Sequence, residues 1–321
     1  MIGLSKKDDK YWGPLSNKSY WLKRSEELDK VAKMTEKEVM KKLSALYRDA
    51  FRSIEKEVND FMMKYAVDHK LDYATVTQML TPIDLAEYNE KIQELHAMYR
   101  DTKSEYIKIE IERLKARSKI TRLRALQDAI NVELCKVTHE YQMTLEDTLI
   151  GLFSDQYTKA CELMGVMAPG IPREAVIKII EYPYAGRMYS DNIWRNKDNL
   201  VNFINQEITV GIIRGESIQK IARRLRNETK ADTLRLAQSW AERLVRTEIN
   251  YAMNQAHLKG YKDSGVVEKY EFLAAHDKRT SKLCRDLDGA MFELSKAVVG
   301  ENYPPMHPNC RSTVVPVLED W

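Results

Sequence analysis

Glycine and proline are scarce in the first half of this 321-residue chain. No glycine occurs between Leu15 and Gly151, and Pro82 is the only proline between Leu15 and Pro169. Both residues break helices, so their absence excludes a turn-rich front half and predicts long, uninterrupted helices. Cysteine is sparse too. Four in this length exclude a disulfide scaffold. No apolar run approaches the roughly 20 residues needed to span a bilayer. The first ten residues, Met1 to Lys10, lack the apolar stretch of a secretion signal, so the expected site of folding is a cytosol. Neither sign of charge dominates. Lys and Arg total 51 against 48 Asp and Glu, a net charge of +3 that excludes binding polyanions with the whole surface and leaves local basic patches open. Phosphate-cradling glycine loops, G-x-S-x-G and H-E-x-x-H are absent.

What is present reads as helix. Thr35 to Glu38 forms a capping-box pattern and predicts a helix start. Val39, Leu43, Leu46, Ala50, Ile54, Val58, Phe61 and Tyr65 follow at steps of three and four. Thr81-Pro82 predicts a second start, continued by Leu85, Tyr88, Ile92, Leu95 and Tyr99. Thr121 predicts a third, carrying Leu126, Ile130, Leu134, Val137, Tyr141, Leu145 and Leu149 to about Gly165. Cys135 and Cys161 fall in these patterns as small core residues. Narrow stripes on long helices imply an elongated bundle, or helices awaiting a partner. Met167 to Pro172 holds two prolines and a glycine and predicts a boundary between a long-helix region, 1–168, and a second domain, 169–321. Beyond it the helices shorten. Ser190 or Asp191 is expected to cap one carrying Trp194. Leu200, Ile204, Ile208 and Ile212 give a stripe ended by Gly215. Ser217 is expected to cap Ile218 to Leu225, and a long helix is expected from about Ala231 to Tyr261. Val267 to Leu273 and Thr313 to Val317 read as strands. The fold class is therefore mainly α, with a small α+β C-terminal domain.

Three constellations carry chemistry. Cys284, His307 and Cys310 gather soft ligands on two loops, with His307-x-x-Cys310 on a turn shaped by Pro308. Thiolate and imidazole suit zinc, with Asp277 or His276 as a fourth ligand. Two other readings stay open: buried thiols beside a hydrogen-bonded histidine, and a Cys284–Cys310 disulfide formed outside the reducing cell. Second, Arg246, Glu248, Asn250 and Asn254 stand among aliphatic residues of one predicted helix. Asn is a poor choice inside a helix, so a hydrogen-bonding task toward neighbouring loops is expected. Third, Arg113, Lys115, Arg117, Lys119, Arg122 and Arg124 form a basic run able to meet DNA phosphate, or simply a solvated face. Arg223, Arg224 and Arg226 form a shorter cluster of the same kind.

From about Tyr189 to Pro316 these pieces resemble, in order and spacing, the phage minor head proteins of the Mu F-like head-morphogenesis family. The resemblance lies in Asp191-Asn-Ile-Trp194, in Gly211 to Ser217 with Ile221 to Leu225, and in Arg246-Thr-Glu248 with Asn254 to Ala256. It closes on Asp277-x-Arg279-Thr-Ser281-x-x-Cys284-x-x-Leu287-Asp-Gly289 and Pro305-x-His307-Pro-x-Cys310-Arg-Ser312. Some members carry Cys where this chain has Ser281, which would complete a Cys-x-x-Cys. The resemblance implies a minor capsid protein of the virion, assembled in the host cytoplasm and free of membrane before ejection. Its expected partners are the portal, scaffold or major capsid protein and packaged double-stranded DNA, with ejection alongside the genome. It implies no catalysis, and no appended effector, because the chain ends nine residues after Ser312. The rival is a metal-dependent nuclease holding its ion with His276, Asp277 and His307, with Arg279 on the phosphate.

Overall fold

The computed structural model describes residues 18–66, 71–117, 119–217, 220–221 and 233–318. Helix α1, Lys18–Tyr65, runs for 48 residues without a break. The start expected at Thr35 is corrected. Lys18 to Met34 contains neither glycine nor proline, so the helix continues through Thr35 and Glu38 instead of beginning there. A short α2, Tyr73–Val76, precedes α3, Pro82–Thr102. Here the capping box forms: Thr81 Oγ1 accepts from Asp84 N at 3.2 Å, and Asp84 Oδ2 accepts from Thr81 N at 3.1 Å. Lys103, with φ +54°, ends α3 and admits α4, Glu105–Lys115. Helix α5, Arg122–Leu163, starts where Thr121 Oγ1 accepts from Arg124 N. The expected stripes are largely the buried ones, although Leu85 is exposed and Tyr47 is buried in place of Leu46.

Helix α6, Arg173–Ile180, follows the proline-rich loop. Helix α7, Tyr189–Ile213, begins ahead of both expected caps and stops before Gly215, whose φ of +62° suits a helix terminator. The Ser217 oxygen accepts from Lys220 N, while most of the helix expected after it, and the cluster Arg223, Arg224 and Arg226, lie outside the described residues. Helix α8, Thr233–Ser264, then leads into a small antiparallel sheet. Strand β1, Lys269–Leu273, is followed by α9, Lys282–Leu287, by β2, Met291–Glu293, and by β3, Thr313–Val317. Strand β1 is central, with Tyr270 opposite Phe292 on one side and Pro316 on the other. Strand β2 has only three residues, too few to show alternation in sequence.

Two compact units emerge, each discontinuous in sequence. One comprises Met1–Met40, Thr144–Tyr189 and Glu242–Trp321, the other Lys41–Met143 and Ser190–Ala241. The boundary expected between 168 and 169 thus falls inside the first unit. A proline-rich loop ends a helix there without ending the packing around it. In the first unit Ala160, Met164, Leu258 and Tyr261 pack with Tyr270, Tyr303 and Val314, which seats the sheet on the ends of two long helices. In the second, Ile92, Leu95, Ile107, Ile111 and Leu114 close around Val132, Cys135 and Trp194. Lys197 is buried there with Glu110 at 2.7 Å and Asn131 at 3.1 Å, a charge stabilised by its partners rather than by water. Cys135 and Cys161 are buried free thiols.

Gly260 marks a close approach between two helices of the first unit. A Cβ placed on it would lie 2.6 Å from Ala160 Cβ, a backbone-fixed atom that cannot swing aside. Gly→Ala inside a helix normally stabilises by up to about 1 kcal/mol. At this position the sign should reverse: Gly260→Ala should destabilise by about 1–3 kcal/mol, as overpacked cores do. Ala160→Gly in the same chain should recover most of the loss. Chemical denaturation of the two variants checks both statements.

Candidate metal centre

Two loops of the first unit bring Cys284, His307 and Cys310 together. Cys284 sits in the first turn of α9. Ser281 is the N-cap, its hydroxyl accepting from Cys284 N at 3.2 Å. His307 and Cys310 share one tight turn, closed by Cys310 N donating to His307 O at 3.1 Å. Asn309 takes a left-handed φ of +63° inside that turn, a conformation Asn tolerates better than most side chains. Phe272, Ala274 and Met306 supply the apolar wall around both sulfurs.

The polar face of α8 holds the second loop. Thr247 Oγ1 accepts from Asn309 N at 3.0 Å, and Arg246 Nη1 donates to Asn309 Oδ1 at 3.2 Å. One turn on, the Asn250 and Asn254 amides both donate to the Ser312 carbonyl, at 3.0 and 3.3 Å. Asn254 Oδ1 accepts from the Thr313 hydroxyl, and the Asn254 carbonyl accepts from Tyr303 OH at 2.8 Å. Among these, the Asn309 N–H and the Ser312 carbonyl are loop backbone groups satisfied by side chains of α8.

The Cys284 sulfur lies 3.3 Å from His307 Nε2 and 3.9 Å from the Cys310 sulfur. All three ligand atoms fall within 4.8 Å of one another, a group able to hold one metal ion. His307 Nδ1 is 2.9 Å from the Pro308 carbonyl. In the tautomer that donates Nδ1–H to that oxygen, Nε2 turns its lone pair to the sulfurs, as a metal-bound imidazole does. The two thiols titrate as a pair. A hydrogen bond from Cys310, helped by Ser281, Ser312 and His307, holds Cys284 well below the ordinary thiol range, and the same bond with burial pushes Cys310 up. One thiolate beside one thiol is the form the geometry favours.

The fourth ligands expected from sequence are elsewhere. The Asp277 carboxylate is gripped in a fork by Arg311, with Nη2 to Oδ1 at 2.6 Å, and also accepts from Arg279 N. That pairing keeps its carboxyl well below the usual range. His276 Nε2 faces Asp288 at 3.5 Å. Neither joins the Cys-His-Cys group among the described residues. The nuclease arrangement of His276, Asp277 and His307 is likewise not assembled, because each has a different neighbour.

Nor do the six basic residues of the second unit make one cationic face. Arg117 and Arg124 both pair with the buried Asp128, and Arg113 pairs with Glu110 at 3.3 Å. Arg122 donates to Thr75 O and Gln78 Oε1 and lies over the Tyr65 ring. Lys115 and Lys119 are exposed. Asp128 is the residue that sequence reasoning missed. Its place on α5, four residues after Arg124, was the available signal. Likewise missed was Tyr184, whose hydroxyl donates to Glu248 at 3.2 Å while its ring stacks on Tyr251 at 4.1 Å.

Comparison with known proteins finds a family likeness over part of the chain. Residues 202–315 match the family described as "Phage Mu protein F like protein". A protein of Enterococcus faecalis (strain ATCC 700802 / V583), named NAD(+)--arginine ADP-ribosyltransferase EFV, is 24% identical over 267 residues, 75% of this chain and 54% of its own length. The chain thus spans about half the length of that curated relative. No solved structure matches it.

Glu248 supplies a test of the helix. Burial pushes its carboxyl from the ordinary 4.5 to about 8, outweighing the Tyr184 hydrogen bond that pulls the other way. The folded chain therefore keeps a proton between about pH 4.5 and 8 that the unfolded chain has lost. Stability from this group is fully present below 4.5 and falls as pH rises toward 8. Glu248→Gln should flatten that slope and stabilise the protein at pH 8 by a few kcal/mol at most, since each tenfold difference in proton affinity is worth roughly 1.4 kcal/mol. Urea melts of both proteins at pH 5 and pH 8 read the difference.

Proposed function

We propose that this chain, which matches the Phage Mu protein F-like family over residues 202–315, is a minor head protein acting in head assembly without catalysis. The observation that carries the proposal is a coincidence in the chain. The matched segment contains α8, both cysteine loops and most of the small sheet, the parts that hold one another in place. Within the head, the proposed partners are the portal and either scaffold or major capsid protein, with packaged DNA as a further contact and release with the genome at ejection. The ADP-ribosyltransferase name belongs to the relative.

Zinc is the proposed occupant of the Cys-His-Cys group. Two sulfurs on a tetrahedral zinc stand about 3.8 Å apart when each Zn–S bond is about 2.3 Å, and sulfur and imidazole nitrogen about 3.6 Å apart. The observed 3.9 and 3.3 Å support that fit, as does the soft donor set. Cys284, Cys310 and His307 Nε2 would hold the ion, which would tie the two loops together. Asp277 is left to orient Arg311.

Two measurements test these readings. Quantitative mass spectrometry of purified particles should find the polypeptide at a fixed low ratio to portal subunits. Full yields of infectious particles from a deletion mutant, with the chain undetectable in wild-type heads, would end the head-protein proposal. For the metal, protein purified without chelator should carry about one zinc, lost in His307→Ala together with several degrees of thermal stability. Metal-free protein whose Cys284 and Cys310 are both alkylated under native conditions would remove zinc from the account.

A further inference from the structure

A cleft of about 320 Å³ opens beside the cysteine loops, wholly within the first unit. Five cations line it: Lys33 and Lys37 from one turn of α1, Arg246 from α8, and Arg279 and Arg311 from the two loops that carry Cys284 and Cys310. Two carboxylates, Glu36 and Glu242, share the lining, and both are spent on Arg246. Its Nη2 reaches Glu36 Oε1 and Glu242 Oε1, each at 2.5 Å, and its Nε reaches Glu36 Oε2 at 3.1 Å. Arg311 is fixed in place by Asp277. Lys37 and Arg279 are exposed. The cleft is therefore lined by more cations than carboxylates, and two of its three arginines, Arg246 and Arg311, are held in place before any ligand arrives. Arg246 and Arg311 also line a smaller cavity of about 50 Å³, walled by Asn250, Asn254 and Cys310.

We propose that this cleft binds a phosphate group. The cations approach from four directions, two helices and two loops. A carboxylate offers two oxygens in one plane, whereas a phosphate offers several around a tetrahedron, which suits donors converging from different sides. The volume lies at the low end of small-ligand pockets, room for a phosphate and its sugar and too little for a folded partner. The phosphate belongs either to a DNA backbone or to a small phosphorylated molecule. In its DNA form the proposal deepens the DNA contact suggested above and rests on that reading. It places the contact away from the Arg113–Arg124 run, whose residues do not form one cationic face.

The test uses the full chain, a fluorescent 20-base-pair duplex and pyrophosphate, with binding read by anisotropy and calorimetry at two salt concentrations. Wild-type protein is expected to bind one or both probes more weakly at the higher salt. Lys37→Glu with Arg279→Glu should weaken that binding at least tenfold, while Lys115→Glu with Lys119→Glu should leave it within twofold. Duplex binding displaced by pyrophosphate assigns the site to DNA phosphate, and pyrophosphate binding without duplex binding assigns it to a small ligand. The proposal falls if neither probe binds, if the cleft variant binds like wild type, or if the Lys115/Lys119 control weakens binding equally. Should the double reversal unfold the protein, Lys37→Gln with Arg279→Gln carries the same comparison, with at least a threefold loss expected. Particle incorporation is a separate readout, so a cleft that binds nothing leaves the head-protein proposal standing.

Discussion

The arrangement of the first unit depends on how its irregular loops satisfy their buried backbone. Two loops carrying thiols and an imidazole have little regular structure to absorb their N–H and C=O groups. Helix α8 supplies the missing partners. Asn in a helix interior costs several tenths of a kcal/mol relative to the best helix formers. A buried carbonyl left without a donor costs about 1–3 kcal/mol. Asn250 and Asn254 both aim at the Ser312 carbonyl, so the larger penalty decides the residue choice. Thr247 and Arg246 do the same for the left-handed Asn309 that sets the Cys310 position. The position of Cys310 is thus fixed from outside the loop that carries it.

The same helix turn joins two features that would otherwise be independent. Arg246 steadies the cysteine turn through Asn309 and gathers Glu36 and Glu242 at the cleft. Arg311 follows Cys310 in the chain and lines the cleft while gripping Asp277. Movement of the His307–Cys310 turn would therefore be felt at the cleft. Glu248, one residue after Thr247, faces Tyr184 instead, in a pocket dry enough to keep it protonated at neutral pH.

Much of this was legible in the sequence, at the level of type and order. Absent glycine and proline announced the long helices, and Thr81-Pro82 and Thr121 located two starts to within a residue. The Thr35 pattern failed because a capping box is only permissive: nothing upstream stops the helix, so it runs through. Cys284, His307 and Cys310 stood out by chemistry and do converge. Asp277 stood out by proximity in sequence, but an adjacent guanidinium competes for its carboxylate, and spacing along a chain cannot reveal such a competitor. The basic run misled in the same way. Charges that look alike in sequence differ once Asp128 and Glu110 select which arginines they neutralise. The packing units were not legible, because segments distant in sequence compose each of them.

The limits of the family match sharpen the distinction between the Cys-His-Cys group and the cleft. Residues 202–315 hold every side chain that positions the Cys-His-Cys group: the three ligands, Ser281, Thr247, Asn250 and Asn254. The cleft, by contrast, draws Lys33, Glu36 and Lys37 from α1, far outside that segment. Removing the α1 wall would leave Arg246 with Glu242 alone and open the cationic side to solvent, where charges are screened within about 10 Å and attract weakly. The Cys-His-Cys group is accordingly contained in the matched segment, whereas the cleft also draws on α1.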